Sequence, residues 1–290
     1  MPAFYNQATL FYNNQSALSN IVQGQLVEVL TAAKTAVNTA YRPGETVTYA
    51  VSLVNSGTTA YTGLTVTDDL GAYPFGGGTA TPLDYVPGSL RLFVDGVLQP
   101  APAVTGTNPL TITGISVPAG GDAVLVYAAT ANAFAPPAAG GVITNTATVD
   151  GELLSAPITA SAALPVDSTA DLGIIKAIDP VNVVENQPFT YTFTIQNRGT
   201  QPAAATDNVT VTDLFDPVLT IQSVTLNGVP LAEGTGYTYN DVTGAFSTVP
   251  GVITVPAATA QQHPTTGAWT VTPRHGGADG DRHHLTGLTA

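Results

Sequence analysis

The chain carries one strand pattern twice. Lys34 and Asn55 are 21 residues apart, and so are Lys176 and Asn197. Between those limits apolar and polar residues alternate: Val47, Tyr49, Val51 and Leu53 in the first copy correspond to Phe189, Tyr191, Phe193 and Ile195 in the second. A period of two belongs to a strand with one buried face; a helix repeats its faces every 3.6 residues and cannot meet it. Farther along, Val66-Thr67-Asp68 is matched by Val211-Thr212-Asp213, and the Asp95-Gly96-Val97 turn by Asn227-Gly228-Val229. A repeat this long means that one fold is built twice.

Within the first copy, strands are expected at Leu64 to Asp68, Leu90 to Val94, Leu110 to Val117, Ala123 to Ala128 and Ile143 to Val149, with a return near Ile158. The Arg42-Pro43-Gly44 and Asp95-Gly96 turns separate them, and no stretch has the periodicity of an amphipathic helix. At 290 residues, two bodies of ordinary size can each bury a core. Only 9% of residues are charged, so threonine rather than lysine or glutamate covers the solvent faces. The pattern predicts an all-β chain: two tandem immunoglobulin-like (Ig-like) β-sandwich domains preceded by an N-terminal β-hairpin. The expected boundaries are 1–25 for the hairpin and connector, 26–167 for the first sandwich and 168–273 for a second, incomplete one.

The strand at Ile143 to Val149, Ile-Thr-Asn-Thr-Ala-Thr-Val, has an echo at Phe4 to Leu10, Phe-Tyr-Asn-Gln-Ala-Thr-Leu. Alternation places Asn145, Ala147 and Val149 on one face, and Asn6, Ala8 and Leu10 likewise. The later strand closes the body before it, whereas the early one precedes every body in its chain. It is expected to run through Tyr12, turn at Asn13-Asn14 and return near Ala17 to Val22. Phe4, Tyr5, Asn6, Ala8 and Leu10 are therefore candidate donor-strand residues.

Late in the second copy the repeat becomes ambiguous. Ile115-Ser116-Val117-Pro118 could correspond to Ile253-Thr254-Val255-Pro256 or to Trp269-Thr270-Val271 with Pro273 after it. From Arg274 the strand pattern stops, although the first copy continues into Gly121 to Tyr127. Read one base later with free wobble bases, residues from 274 can encode Gly-Thr-Ala-Val-Leu-Thr-Val-Thr-Gly-Thr-Thr and a stop, which parallels that strand. Residues 274–290 are thus expected to be a disordered, frameshift-like tail. In neither frame does an Asn-x-Ala-Thr strand follow the second body.

Lys34 and Lys176 are the only lysines, and they fall at equivalent places in the repeat. One reading is a side chain snorkelling at a strand edge, inherited through duplication. The other is a shared chemical role. A lysine buried in an apolar sandwich loses its proton more readily and becomes nucleophilic, while a buried aspartate is pushed toward its neutral form.

The order of Lys34, Thr46-Val47-Thr48-Tyr49, Asn55-Ser56-Gly57, Val66-Thr67-Asp68, Val117-Pro118-Ala119 and Asn145-Thr146-Ala147-Thr148-Val149 resembles the Thr-rich repeat of bacterial surface proteins designated domain of unknown function 11. It is also similar to isopeptide-forming fimbrial domains. In the fimbrial domains a first-strand lysine bonds to a last-strand asparagine with help from an acidic residue. The resemblance implies that Lys34, Asp68 and Asn145 form an intramolecular bond, made once and not turned over. Asp69 and Asp216 remain alternatives for the acid, and Val-Thr-Asp can also be a strand ending in a turn-capping aspartate. Lys176 and Asp213 lack a following asparagine strand, and the spare Asn6 strand is the matching part. A connector of about eight residues spans at most roughly 28 Å, too short to pass the first body, so Asn6 is expected to serve Lys176 of another copy, head to tail.

Other functions are disfavoured. A net charge of −13 repels a phosphate backbone, so nucleic acid is not an expected partner. There are no cysteines for disulfides or thiolate metal sites. No signal peptide is visible, and no apolar run reaches membrane-spanning length. His275, Asp279, Asp281, His283 and His284 could form a metal cluster, but their glycine-rich context suits a tail better. The Asp207-Asn208 and Asn240-Asp241 pairs read as ordinary turn chemistry rather than calcium sites. No catalytic triad or phosphate loop is present, and neither cofactor nor metal is expected. The sequence therefore suggests a non-enzymatic structural subunit of a filament on a bacterial cell or spore surface, polymerising with copies of itself. The alternative is a monomeric adhesion or stalk module for a host or glycan ligand.

Overall fold

The computed structural model describes residues 3–25, 29–184, 187–275 and 288–289. These residues are all-β apart from one short 3-10 turn at Ala205–Asp207.

The N-terminal region is a ladder of β1 (Ala3–Asn6), β2 (Thr9–Tyr12), β3 (Gln15–Leu18) and β4 (Val22–Gln25), with β2 on β3 and β1 on β4. Asn13 and Asn14 make its turn at φ 43° and 63°, a left-handed backbone that asparagine tolerates better than most residues. One expectation changes here. The outgoing strand is broken at Gln7-Ala8, and Asn6 opposes Val22 while Thr9 opposes Leu18, so the return side has one extra residue. Ser19 occupies the break: its hydroxyl accepts from the Ala8 amide at 2.9 Å and its own amide donates to the Ala8 carbonyl. The ladder covers no core. Phe4, Tyr5, Leu10, Phe11, Leu18 and Val22 are all exposed, Phe11 by 78%.

The first body runs through β5 (Leu30–Ala36), β6 (Thr46–Asn55), β7 (Tyr61–Asp68), β8 (Tyr73–Phe75), β9 (Gly78–Ala80), β10 (Leu83–Tyr85), β11 (Arg91–Val94), β12 (Val97–Gln99), β13 (Ala103–Thr107), β14 (Leu110–Val117), β15 (Asp122–Ala131), β16 (Val142–Asp150) and β17 (Ile158–Pro165). One sheet has the order β12-β11-β15-β6-β5, with β10 also on β15; the other is β13-β14-β7-β16-β17. Alternation decides which side chains meet between them. Val47, Tyr49, Val51 and Leu53 of β6 and Leu125 and Tyr127 of β15 are buried, as are Leu64, Val66, Leu110, Ile112, Ala147 and Val149 from the other sheet. The intervening threonines point outward, as the sequence pattern predicts. Asp95-Gly96 turns β11 into β12, with both residues at positive φ.

The second body comprises β18 (Leu172–Asp179), β19 (Pro188–Asn197), β20 (Thr212–Leu214), β21 (Thr220–Ile221), β22 (Thr225–Leu226), β23 (Val229–Pro230), β24 (Tyr237–Asn240), β25 (Ala245–Thr248), β26 (Thr259–Gln262), β27 (Trp269–Thr272), β28 (Arg274–His275) and β29 (Leu288–Thr289). Its start copies the first body: Lys176 opposes Phe193 as Lys34 opposes Val51. The ambiguity over the late strand is resolved by burial. Ile253 and Val255 are wholly buried, and Val255 bridges Ala203 as Val117 pairs with Tyr61. Trp269 to Val271 instead belongs to an added hairpin, β26–β27, where the Trp269 amide donates to the Ala133 carbonyl of the first body at 2.7 Å.

Two strand positions distinguish the bodies. β28 sets His275 against Gln196 as β15 sets Asp122 against Val54, so the chain enters the β15 position. The tail expected to be disordered from residue 274 is instead paired strand at 274–275 and at β29, which lies between β19 and β21, whereas residues 276–287 and 290, with Asp279, Asp281, His283 and His284, lie outside the described residues. The second difference concerns β7, which has β14 on one flank, with Asp68 opposite Leu110, and β16 on the other, with Asp68 opposite Ala147. Its counterpart β20 has β25 on one flank, with Asp213 opposite Phe246. No strand among the described residues lies on its other flank.

Candidate functional site

Leu30, Ala32, Lys34 and Ala36 share the inward face of β5, so strand periodicity alone carries the Lys34 ammonium into the core. Asp68, the last residue of β7, meets it there, with Nζ 2.5 Å from Oδ2 and the two side chains 0% and 1% exposed. The chain then bends at Leu70, which has φ 53° and donates its amide to Asp68 Oδ1 at 3.0 Å. A positive φ at a buried leucine is uncommon; here it lets the turn satisfy the second carboxylate oxygen.

Two tyrosines complete the cluster. The Tyr127 hydroxyl donates to Asp68 Oδ2 and accepts from Asn145 Nδ2 at 3.2 Å. Tyr49, opposite Tyr127 in the ladder, stacks on it with ring centroids 5.8 Å apart and holds Lys34 Nζ 5.1 Å from its own centroid. Asn145, on β16, is wholly buried. Its Oδ1 and the Tyr49 hydroxyl have no hydrogen-bond partner. Leaving such groups unpaired costs stability, typically about 1–3 kcal/mol each, and Asn145 Oδ1 is the carbonyl oxygen of the carboxamide.

Burial governs the electrostatics. It lowers the Lys34 pKa below its ordinary 10.5, with Asp68 pulling the other way. It raises both Tyr49 and Tyr127, and the Asp68 charge adds to the effect. Burial thus makes the Lys34 ammonium easier to deprotonate beside the carboxamide, while the phenols hold their protons more tightly.

Of the three acids left open by the sequence, it is Asp68 that contacts Lys34. Asp69 turns toward β16, where its Oδ1 accepts from the Gly71 and Thr146 amides, each at 2.8 Å. In the second body Lys176 donates to Asp213, and Asp216 does not take part. That pair is open: the Lys176 side chain is 40% exposed and Asp213 18%. Aromatic faces surround the ammonium on one side, with Tyr191 at 4.2 Å, Phe193 at 5.4 Å and Phe215 at 5.5 Å. Asn6 is not brought to Lys176 within the chain; it lies on the N-terminal ladder, opposite Val22.

Sequence reasoning placed Tyr49 in the core but gave neither tyrosine a chemical role. Tyr49 has a repeat counterpart in Tyr191, a signal that could have been used. Tyr127 stands on a strand whose counterpart lies outside the described residues between His275 and Leu288, so comparing the copies could not find it. Among the described residues no group of histidines and carboxylates is arranged to hold a metal.

No protein-family model matches the chain, and no curated protein does. Among solved structures it is similar to BcpA, the major pilin subunit of Bacillus cereus, at 13% identity and a TM-score of 0.35, covering 98% of this chain and 74% of that one. It is also similar to the pilus backbone protein RrgB of Streptococcus pneumoniae, at 14% identity and a TM-score of 0.32, covering 90% of this chain and 50% of that one. For the N-terminal domain of the Streptococcus gordonii adhesin Sgo0707 the values are 17% identity and a TM-score of 0.34, covering 52% of this chain and 35% of that one. The chain spans half the length of RrgB.

Proposed function

We propose that the chain is a structural subunit of a bacterial surface or spore-associated filament, assembled head to tail by donation of the N-terminal ladder. One correspondence carries the reading. The ladder repeats the Asn-x-Ala pattern of the β16–β17 hairpin yet covers no core, and β20 repeats β7 yet has, among the described residues, no strand where β16 would lie. Each is the other's missing half. By the register of β16 on β7, Ala8 of one subunit comes to lie opposite Asp213 of the next, with Leu10 opposite Val211. An isolated two-stranded hairpin is at best marginally stable in water, and docking would bury its apolar face.

Two cross-links follow from the same logic. Within the subunit, Lys34 attacks Asn145 and expels ammonia; between subunits, Lys176 attacks Asn6 of the incoming strand. Each bond forms once, so the chemistry is maturation rather than turnover.

Deleting residues 2–22 tests the reading. Negative-stain electron microscopy of the intact chain should reveal filaments that the deleted form cannot build. Monodisperse monomers of the intact chain under all assembly conditions would overturn it. Mass spectrometry tests the cross-links, each of which removes about 17 Da as ammonia.

A further inference from the structure

Asp68 does not touch the carboxamide that the Lys34 amine must attack. Its Oδ2 is engaged by Lys34 and Tyr127, and its Oδ1 by the Leu70 amide. The hydrogen bond made by Asn145 Nδ2 goes to the Tyr127 hydroxyl. A carboxamide nitrogen leaves only if it is protonated, because the bare amide anion is far too basic to depart. The leaving nitrogen is therefore in contact with a phenol, and the phenol with the acid.

We infer that Tyr127 is a catalytic residue of the Lys34–Asn145 reaction, passing a proton from Asp68 to the departing nitrogen. This inference rests on the isopeptide reading above. A proton first moves from Lys34 Nζ to Asp68 Oδ2, leaving an amine and a carboxylic acid. The Nζ lone pair then bonds to Asn145 Cγ, and the carbonyl electron pair moves onto Oδ1. When the carbonyl re-forms, the Cγ–Nδ2 bond breaks and Nδ2 takes the Tyr127 hydroxyl proton, which Asp68 replaces. The surplus proton on Nζ returns to Asp68. The products are a secondary amide, one ammonia and a protonated Asp68, with atoms and charge balanced.

The two bodies differ at this point. Among the described residues no tyrosine hydroxyl bonds to Asp213, and Lys176 meets Tyr191 through its ring. The bond from Lys176 to Asn6 should therefore form more slowly than the bond inside the first body.

The test is a time course of intact mass after cell-free synthesis of the full chain, comparing wild type with Tyr127→Phe and Tyr85→Phe. Tyr127→Phe keeps the ring and removes the relay. It should slow the loss of about 17 Da by the 10²–10⁴-fold typical of general acid–base catalysis. Tyr85, partly buried on β10, packs its ring on Tyr127 from outside the cluster, with centroids 6.4 Å apart; Tyr85→Phe keeps that ring and should leave the rate unchanged. The wild-type rate should also fall in deuterated water. If wild type never loses the mass, the isopeptide reading fails and takes the relay with it. If wild type loses it and Tyr127→Phe keeps pace, the relay alone is overturned. Equal slowing by Tyr85→Phe assigns the effect to packing and also overturns the relay. Should Tyr127→Phe not fold, the absence of a solvent isotope effect in wild type would count decisively against it.

Discussion

Lys34 and Asp68 meet at 2.5 Å with solvent excluded from both side chains. The corresponding pair, Lys176 and Asp213, is made of the same residues at the same repeat positions but stands partly in water. Breaking a buried pair leaves an uncompensated charge, at a cost of about 3–5 kcal/mol, whereas an exposed pair is worth about 0–1 kcal/mol. In an Asn145→Ala chain, where no cross-link replaces the pair, Asp68→Ala should accordingly destabilise by about 3–5 kcal/mol in urea denaturation and Asp213→Ala by less than about 1 kcal/mol. Equal losses would refute the difference in burial.

Register gives a sharper prediction for the N-terminal ladder. If Asn6, Ala8 and Leu10 enter the acceptor as Asn145, Ala147 and Val149 do in the first body, the neighbouring Phe11 faces away. Leu10→Asp should abolish filaments, while Phe11→Asp should permit them. Both residues are exposed in the free subunit, so each change should alter monomer stability by no more than about 0.5 kcal/mol. Filament yield by electron microscopy, together with monomer melting, checks both halves.

Asn6→Ala separates docking from bonding. It removes the carboxamide but keeps the strand, so filaments should assemble and then fall apart in hot detergent. Wild-type filaments should resist the same treatment and run as a ladder of multimers on a gel.

The tyrosines set the alkaline limit of the first body. Tyr41, Tyr49 and Tyr127 all have folded pKa values raised above 10.0, with burial the leading cause. Above pH 10 the unfolded chain gives up these protons and the folded chain keeps them. The stability they contribute is complete below that pH and drains away as pH climbs through the folded values. Lys34 has the opposite sign: its pKa is lowered, so stability is recovered as pH rises toward 10.5. In an Asn145→Ala chain, where Lys34 keeps its amine, adding Lys34→Met should abolish the recovery and leave the alkaline decline, which stability measured from pH 8 to pH 12 will resolve.

The parts of the fold that were legible in the sequence are those where a single periodicity acts over many residues. The long strands β6 and β19 could be read from their alternation, and the β11–β12 turn from Asp95-Gly96, because only a few residues accept two successive positive φ values. Lys34 and Asp68 could be paired in the sequence only through the repeat and a family resemblance. β8 and β9 were not legible, since three-residue strands rich in glycine and proline carry too little pattern. The break at Gln7-Ala8 depends on a cross-strand hydroxyl, Ser19, that no local periodicity reveals. Tyr127 looked like any inward-facing strand residue, and its role depends on which atoms lie across the sandwich.

The start of β28 also bears on the sequence beyond it. Arg274 and His275 occupy the register of Gly121 and Asp122 along the neighbouring strand. Replacing residues 276–280 with Ala123-Val124-Leu125-Val126-Tyr127 should raise the unfolding midpoint of the second body, measured in denaturant. Codons from residue 274 that cannot encode an apolar alternation one base later would end the frameshift reading.

The flank of β20 that no described strand covers has a consequence for growth. In a filament joined through that flank, every contact uses one donor and one acceptor, so the fibre has two unlike tips, one presenting a ladder and the other an empty groove. Each added subunit restores the tip that it covers, and elongation has no built-in stop. A copy lacking its ladder could still receive a neighbour's but could not offer one, so a trace of it should cap one tip only and set length by stoichiometry.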